Sequence, residues 1–347
     1  MDVVSLIKSR LAETYGLHSR YVNPQLVRVL EVIGYQRNYT SARGAYLIDD
    51  SGRRVLDFLS GFGVFNIGRN HPLVKQVLHE VIDSDSANLV QMDVGCLSGL
   101  LAEALAQIAP GDLAAVFFTN SGTEGVEGAL KFARQATRRT KVVYCAKAFH
   151  GLTLGALSVN GNEEFRERNE PLLQGCTAVP FNDLESLDEA LSGRDVAAFI
   201  VEPIQGKGAF VPDDDYFAGV RRICDAYGTC LIADEVQTGF GRTGKMFAME
   251  HWGVVPDILV VSKALSGGFI PVGAVLCKRW IHSAVFDSME RCFAHSNTFG
   301  QNDLAMAAGL ATLHVLQEEK LASNAEKMGR ALVSGLHDLA DRYEMLH

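Results

Sequence analysis

The chain has 347 residues, 48 % of them hydrophobic and 21 % charged, with 33 glycines and a formal net charge of −9. That length exceeds what one core usually fills, so about two domains of roughly 150 residues each are expected, with the composition of an ordinary α/β protein rather than a disordered or fibrous one. The negative balance offers no basic stripe to a phosphate backbone, and no apolar run approaches the roughly 20 residues that cross a bilayer, so neither nucleic acid nor a membrane is an expected partner.

Residues 3–14 place apolar side chains at helical spacing, and charges run through the first 16 residues where a signal peptide would have an apolar centre; the expected location is the cytoplasm. ARGAYLIDDSGRRVLDFLSG then reads as two short strands around an Asp50-Ser51-Gly52 turn, making residues 1–60 an α+β contribution to a small domain. After the helical stretches HPLVKQVLHEVID and GLLAEALAQIA a repeated unit begins, in which a short apolar run leads through polar or glycine residues into a helix. Its strands are AAVFFTN, KVVYCA, AAFIVEP, CLIADE and DILVVS. Runs apolar on both faces and separated by helices belong to a mostly parallel sheet covered on both sides, and such sheets bind ligands beyond the carboxyl ends of their strands. The basic run RQATRRTK, 134–141, fits the end of the helix that starts near Gly122, where cations suit the dipole. Seven cysteines without CxxC spacing read as reduced thiols, and the ten histidines show no HExxH or paired Cys/His pattern, so no metal is expected.

The polar residues closing those strands are Asn120 with Ser121, Glu202, Asp234 with Glu235 and Gln237, and Ser262 with Lys263. Each has a plain structural reading. Gly122 and Thr123 stand where a strand turns into a helix and suit a phosphate, yet Ser121 and Glu124 also fit a capping box. Phe149 could stack on a planar ring or fill the core, Asp234 could cap a helix, and Lys263 could be a solvated lysine. The combination is more specific. A pyridoxal phosphate enzyme needs a lysine for the Schiff base, a carboxylate for the pyridine nitrogen, a phosphate cup and a planar group against the ring, and all four occur in order.

The segments SGFGVFNIGRNHP, FFTNSGTEGVEGALKFAR, AFHGLTLGALS, VEPIQGKG, LIADEVQTGFGRTGKMFAMEHWGVVPDILVVSKALSGG and HSNTFGQN span essentially the whole chain. Through them the sequence resembles the class III aminotransferases of the fold-type I pyridoxal phosphate enzymes, nearest the putrescine, ornithine and acetylornithine branch. The resemblance implies that Lys263 carries the cofactor as an aldimine and shuttles the proton, that Asp234 pairs with the pyridine nitrogen, and that Ser121, Gly122 and Thr123 hold the phosphate. It further implies that Phe149 stacks on the ring, that Gln237 bonds the phenolic oxygen, and that Thr298 reaches the cofactor of a neighbouring subunit in a homodimer. The large cofactor domain is then expected over 61–295, and an interdomain helix with the start of a C-terminal domain, incomplete by comparison with the family, over 296–347. The reaction implied is a ping-pong transfer from an amine or amino-acid donor to a keto-acid or aldehyde acceptor.

Candidates for the substrate side are Phe62, Leu152, Glu202 and Lys207. Two of them depart from the family pattern: EPIQGKG has Lys207 where an acid is usual, and FHGLT has Leu152 where arginine or lysine is common. Leu152 favours a substrate with an uncharged far end. Decarboxylase or aminomutase chemistry on the same fold is the alternative reading. A remoter one is a nicotinamide oxidoreductase, because Gly239, Gly241 and Gly244 spell GxGxxG shortly after a strand.

Overall fold

A computed structural model of the chain describes residues 1–90 and 92–343; the last four residues of the expected 296–347 segment lie outside the described residues. The chain forms two compact units, one of residues 1–60 with 68–70, the other of residues 61–67 with 71 onward.

The smaller unit begins with the helix Val3–Arg10, started by the Asp2 carboxylate accepting from the Ser5 N–H at 3.0 Å. Asn23 does the same for Pro24–Val32, where proline occupies a first-turn position that needs no N–H. Three antiparallel strands follow in the order β1 (Tyr39–Arg43), β2 (Tyr46–Asp49) and β3 (Arg54–Leu56). The turn expected at Asp50 joins β2 to β3, and Asp49 Oδ1 fixes it by accepting from the N–H groups of Ser51 and Arg53. β1 escapes a sequence reading because YTSAR has no apolar face: four of its five residues are exposed.

The larger unit is built on seven strands: β4 (Ala115–Thr119), β5 (Lys141–Cys145), β6 (Cys176–Val179), β7 (Val196–Val201), β8 (Cys230–Asp234), β9 (Ile258–Val261) and β10 (Gly273–Cys277). Their order is β4-β10-β9-β8-β7-β5-β6. β10 is antiparallel to both its neighbours and every other pairing is parallel, so β10 starts at the edge where the others finish. The five apolar runs in the sequence are β4, β5, β7, β8 and β9. Every residue of β7, β8 and β9 is buried, which is why they read as continuous apolar runs without alternation. At roughly 1.5–3 kcal/mol per large apolar side chain, burying residues such as Phe199, Ile200, Leu231 and Ile232 makes this sheet a large contributor to stability.

The helix Gly122–Thr137 buries Val126, Ala129, Leu130 and Ala133, a stripe at intervals of three and four, and stops at Arg138 in the left-handed conformation with φ 57°. It thereby leaves its amino end at the carboxyl edge of β4. Among the described residues no helix is long and apolar enough to cross a membrane.

Candidate active site

A cavity of about 980 Å³ opens along the carboxyl edge of the sheet. It is lined from every strand end that the sequence singled out: Ser121, Gly122 and Thr123 after β4, Phe149 after β5, Glu202 after β7, Asp234 and Gln237 at β8, and Lys263 after β9. Phe62 and Lys207 also line it. Leu152 and Thr298 do not; both are exposed, Leu152 by 54 %.

At the head of the helix Gly122–Thr137 the Ser121 hydroxyl accepts from the Glu124 N–H at 3.3 Å. The Glu124 carboxylate reaches back one residue beyond the cap, accepting from the N–H and the side-chain amide of Asn120 at 2.8 and 2.9 Å. Capping and anion binding are therefore compatible here, because the N–H groups of Gly122 and Thr123, the first two of the helix, have no intrahelical acceptor. The Thr123 hydroxyl is 2.8 Å from that of Thr153, which donates to Glu127 at 2.6 Å. Gly151 has to be glycine: its φ is +121°, and a Cβ there would sit 2.3 Å from the Thr123 Oγ1.

Asp234 is almost fully buried at the end of β8. Its Oδ2 is 2.7 Å from Nδ1 of His150, and its Oδ1 accepts from the Val236 N–H at 3.1 Å. His150 is buried too, and its Nε2 has no protein partner. This histidine was not among the sequence candidates for the site. Its only signal was its place beside Phe149 at a strand end, and the pairing spans 84 residues of chain.

Lys263 follows the end of β9 with φ 32°, in the region that favours glycine. A lysine held there stores backbone strain, which accumulates at functional sites. Burial pushes its amine below the usual lysine range, opposed by the negative charges of Asp234 and Glu202. Ser262 fixes the turn by donating to the Val272 carbonyl at 2.7 Å.

Glu202 is a clamp rather than a free carboxylate. One oxygen accepts from the Phe149 N–H and the other from the Gly206 N–H, each at 2.8 Å, and burial still holds its pKa above the ordinary carboxyl value. Gln237 donates to the Phe62 carbonyl at 3.0 Å. Glu235, fully buried, accepts from the N–H groups of Ala248 and Met249 and from the Thr238 hydroxyl, tying down the loop that carries Val236 and Gln237. The glycines at 239, 241 and 244 run through turns into the short 3-10 segment Ala248–His251, not into a helix that could receive a pyrophosphate, so they lack the context of a dinucleotide fingerprint.

Residues 31–347 match the family described as Aminotransferase class-III. A curated relative, the Aminotransferase PigE of a Serratia species, is 38 % identical over 333 residues; the match covers 95 % of this chain and 39 % of the relative's own length. The ornithine aminotransferase of Toxoplasma gondii ME49 is similar in structure, with a TM-score of 0.84 and 30 % identity over 94 % of this chain and 76 % of the other. An amine transaminase from an uncultivated Pseudomonas species, solved in its PLP-bound form, gives a TM-score of 0.80 and 33 % identity over 88 % of this chain and 76 % of the other.

Proposed function

The chain belongs to the class III aminotransferases, and on that premise we propose that it transfers an amino group by a ping-pong route in which Lys263 is the proton-carrying base. The observation that carries this reading is the meeting of a desolvated, strained Lys263 with the buried His150–Asp234 pair in one cavity. The family's cofactor is pyridoxal 5′-phosphate, and the donor set suits it: an amine with a depressed pKa, a carboxylate, two helix-end N–H groups and an aromatic face.

Bound there, pyridoxal phosphate supplies an electron sink that makes a donor C–H proton labile. The residues have separable tasks. Lys263 Nζ would hold the cofactor and then, released by an incoming donor amine, take and return that proton. Asp234, kept in place by His150 and the Val236 N–H, would present its carboxylate to the ring nitrogen. The N–H groups of Gly122 and Thr123, with the Ser121 hydroxyl, would hold the phosphate. Phe149, whose backbone is pinned by Glu202, would lie against the ring, and Gln237 would orient the phenolic oxygen.

Thr298 lies outside this cavity on an exposed turn anchored by the Asn297 amide, which donates to the Phe118 carbonyl at 2.8 Å. That placement suits a residue that serves the cofactor of a second copy in a homodimer. All seven cysteines are free thiols, which supports a cytoplasmic setting.

Initial-rate kinetics test the reading. Parallel double-reciprocal lines for donor and acceptor, with a keto or aldehyde product from the donor, are expected. Recovery of carbon dioxide or of a rearranged amine would assign the site to decarboxylation or amino migration instead.

A further inference from the structure

Phe165 and Lys207 line the cavity from segments that take no part in the chemistry above. Lys207 sits at the tip of a turn whose base is fixed. The Gln205 N–H donates to the Phe210 carbonyl at 3.0 Å, the Gln205 side-chain amide donates to the Ala146 carbonyl at 2.8 Å, and Gly206 is held by Glu202. The tip itself is open, with 46 % of the Lys207 side chain exposed. Its ammonium pairs with Glu164 and stands 5.0 Å from the centre of the Phe165 ring. That ring meets Phe149 edge-on, with centroids 5.5 Å apart and planes at 75°. The aromatic surface that begins at Phe149 is thus continued outward by Phe165 and the aliphatic stem of Lys207, with the Lys207 charge already answered by Glu164.

We propose that Glu164, Phe165 and Lys207 form a selectivity wall, which admits a donor whose far end is apolar and uncharged and disfavours one carrying a carboxylate there. The inference rests on the aminotransferase reading and names its substrate class. Among the described lining residues the lysine and arginine side chains are Lys263 and Lys207. The first is assigned to the chemistry and the second is neutralised. A far-end carboxylate would therefore lose hydration against two phenyl rings and gain no unpaired cation in return. An alkyl or aryl end would cover those rings. Because the Glu164–Lys207 pair is exposed it adds little to stability, so its charge can be altered without unfolding the chain.

The test uses stable phosphopyridoxyl conjugates of two amines of equal length, hexylamine and 6-aminohexanoate, titrated calorimetrically into the full chain freed of cofactor. The hexylamine conjugate is expected to bind about tenfold tighter. Glu164→Gln frees the Lys207 charge and should tighten the aminohexanoate conjugate about fivefold while leaving the hexylamine conjugate unchanged, and adding Lys207→Gln should cancel that gain. Phe165→Ala should weaken the hexylamine conjugate about tenfold. Equal affinity of the two conjugates for the unaltered chain, or no response to Glu164→Gln, overturns the wall. Failure of both conjugates to bind would overturn the cofactor site and the wall with it. Discrimination between the conjugates without any amino transfer by the loaded chain would sink the aminotransferase reading and leave the wall standing.

Discussion

The floor of the cavity and its outer wall are built on opposite terms. On the floor, Asp234, His150 and Glu202 are all buried, and their hydrogen bonds run to backbone N–H groups or to one another. On the wall, Lys207 on a surface turn and Glu164 in the short helix Glu163–Arg166 meet in an exposed ion pair. Unpairing a buried group costs far more than unpairing an exposed one, so the floor tolerates little change and the wall tolerates much. Under the proposed function, reaction type is set in the floor and substrate choice in the wall.

Variants of the floor should break this contrast most visibly. Lys263→Ala removes the amine and should lower turnover on the order of 10⁴-fold or more, measured in single-turnover amino transfer. Retained turnover would remove Lys263 from the mechanism. Asp234→Asn keeps shape and removes the charge offered to the ring nitrogen, so a fall of about 10²–10⁴-fold in the same assay is expected, with the fold intact by circular dichroism. A smaller effect follows from Gly151→Ala, whose Cβ has no room beside Thr123. Cofactor affinity should fall about tenfold and stability by about 2 kcal/mol, read by equilibrium dialysis and urea denaturation.

The mildest effect concerns pH. Burial pushes the Glu235 carboxyl up to about 7 from its ordinary 4.5. Between those values the folded chain keeps a proton that the unfolded chain has lost, so this group's contribution to stability is fully present below 4.5 and is lost as the pH rises through about 7. Denaturation midpoints at about pH 5 and about pH 7.5 should differ less in Glu235→Gln than in the unaltered chain, and an unchanged difference would assign the slope to other groups.

The two regions also differed in how far the sequence disclosed them. β7, β8 and β9 were legible because both their faces are buried, and the residues closing them were legible because a polar group after an apolar run marks a strand end. β6 was not, since CTAV has only four residues and two are exposed; β10 follows SGGFIPV, which reads as loop. Ser121, Asp234 and Lys263 could be placed in one crevice by topology alone. His150 could not be paired with Asp234, nor Lys207 with Glu164, because those contacts join separate segments 84 and 43 residues apart. Periodicity reports which face a residue takes within its own element, not which loop it will meet.

The most direct test of the central claim is borohydride reduction of the chain loaded with pyridoxal phosphate, followed by peptide mass mapping. The account predicts a phosphopyridoxyl group on the peptide containing Lys263 and none in Lys263→Ala. A label on another lysine, or none on the unaltered chain, would contradict it.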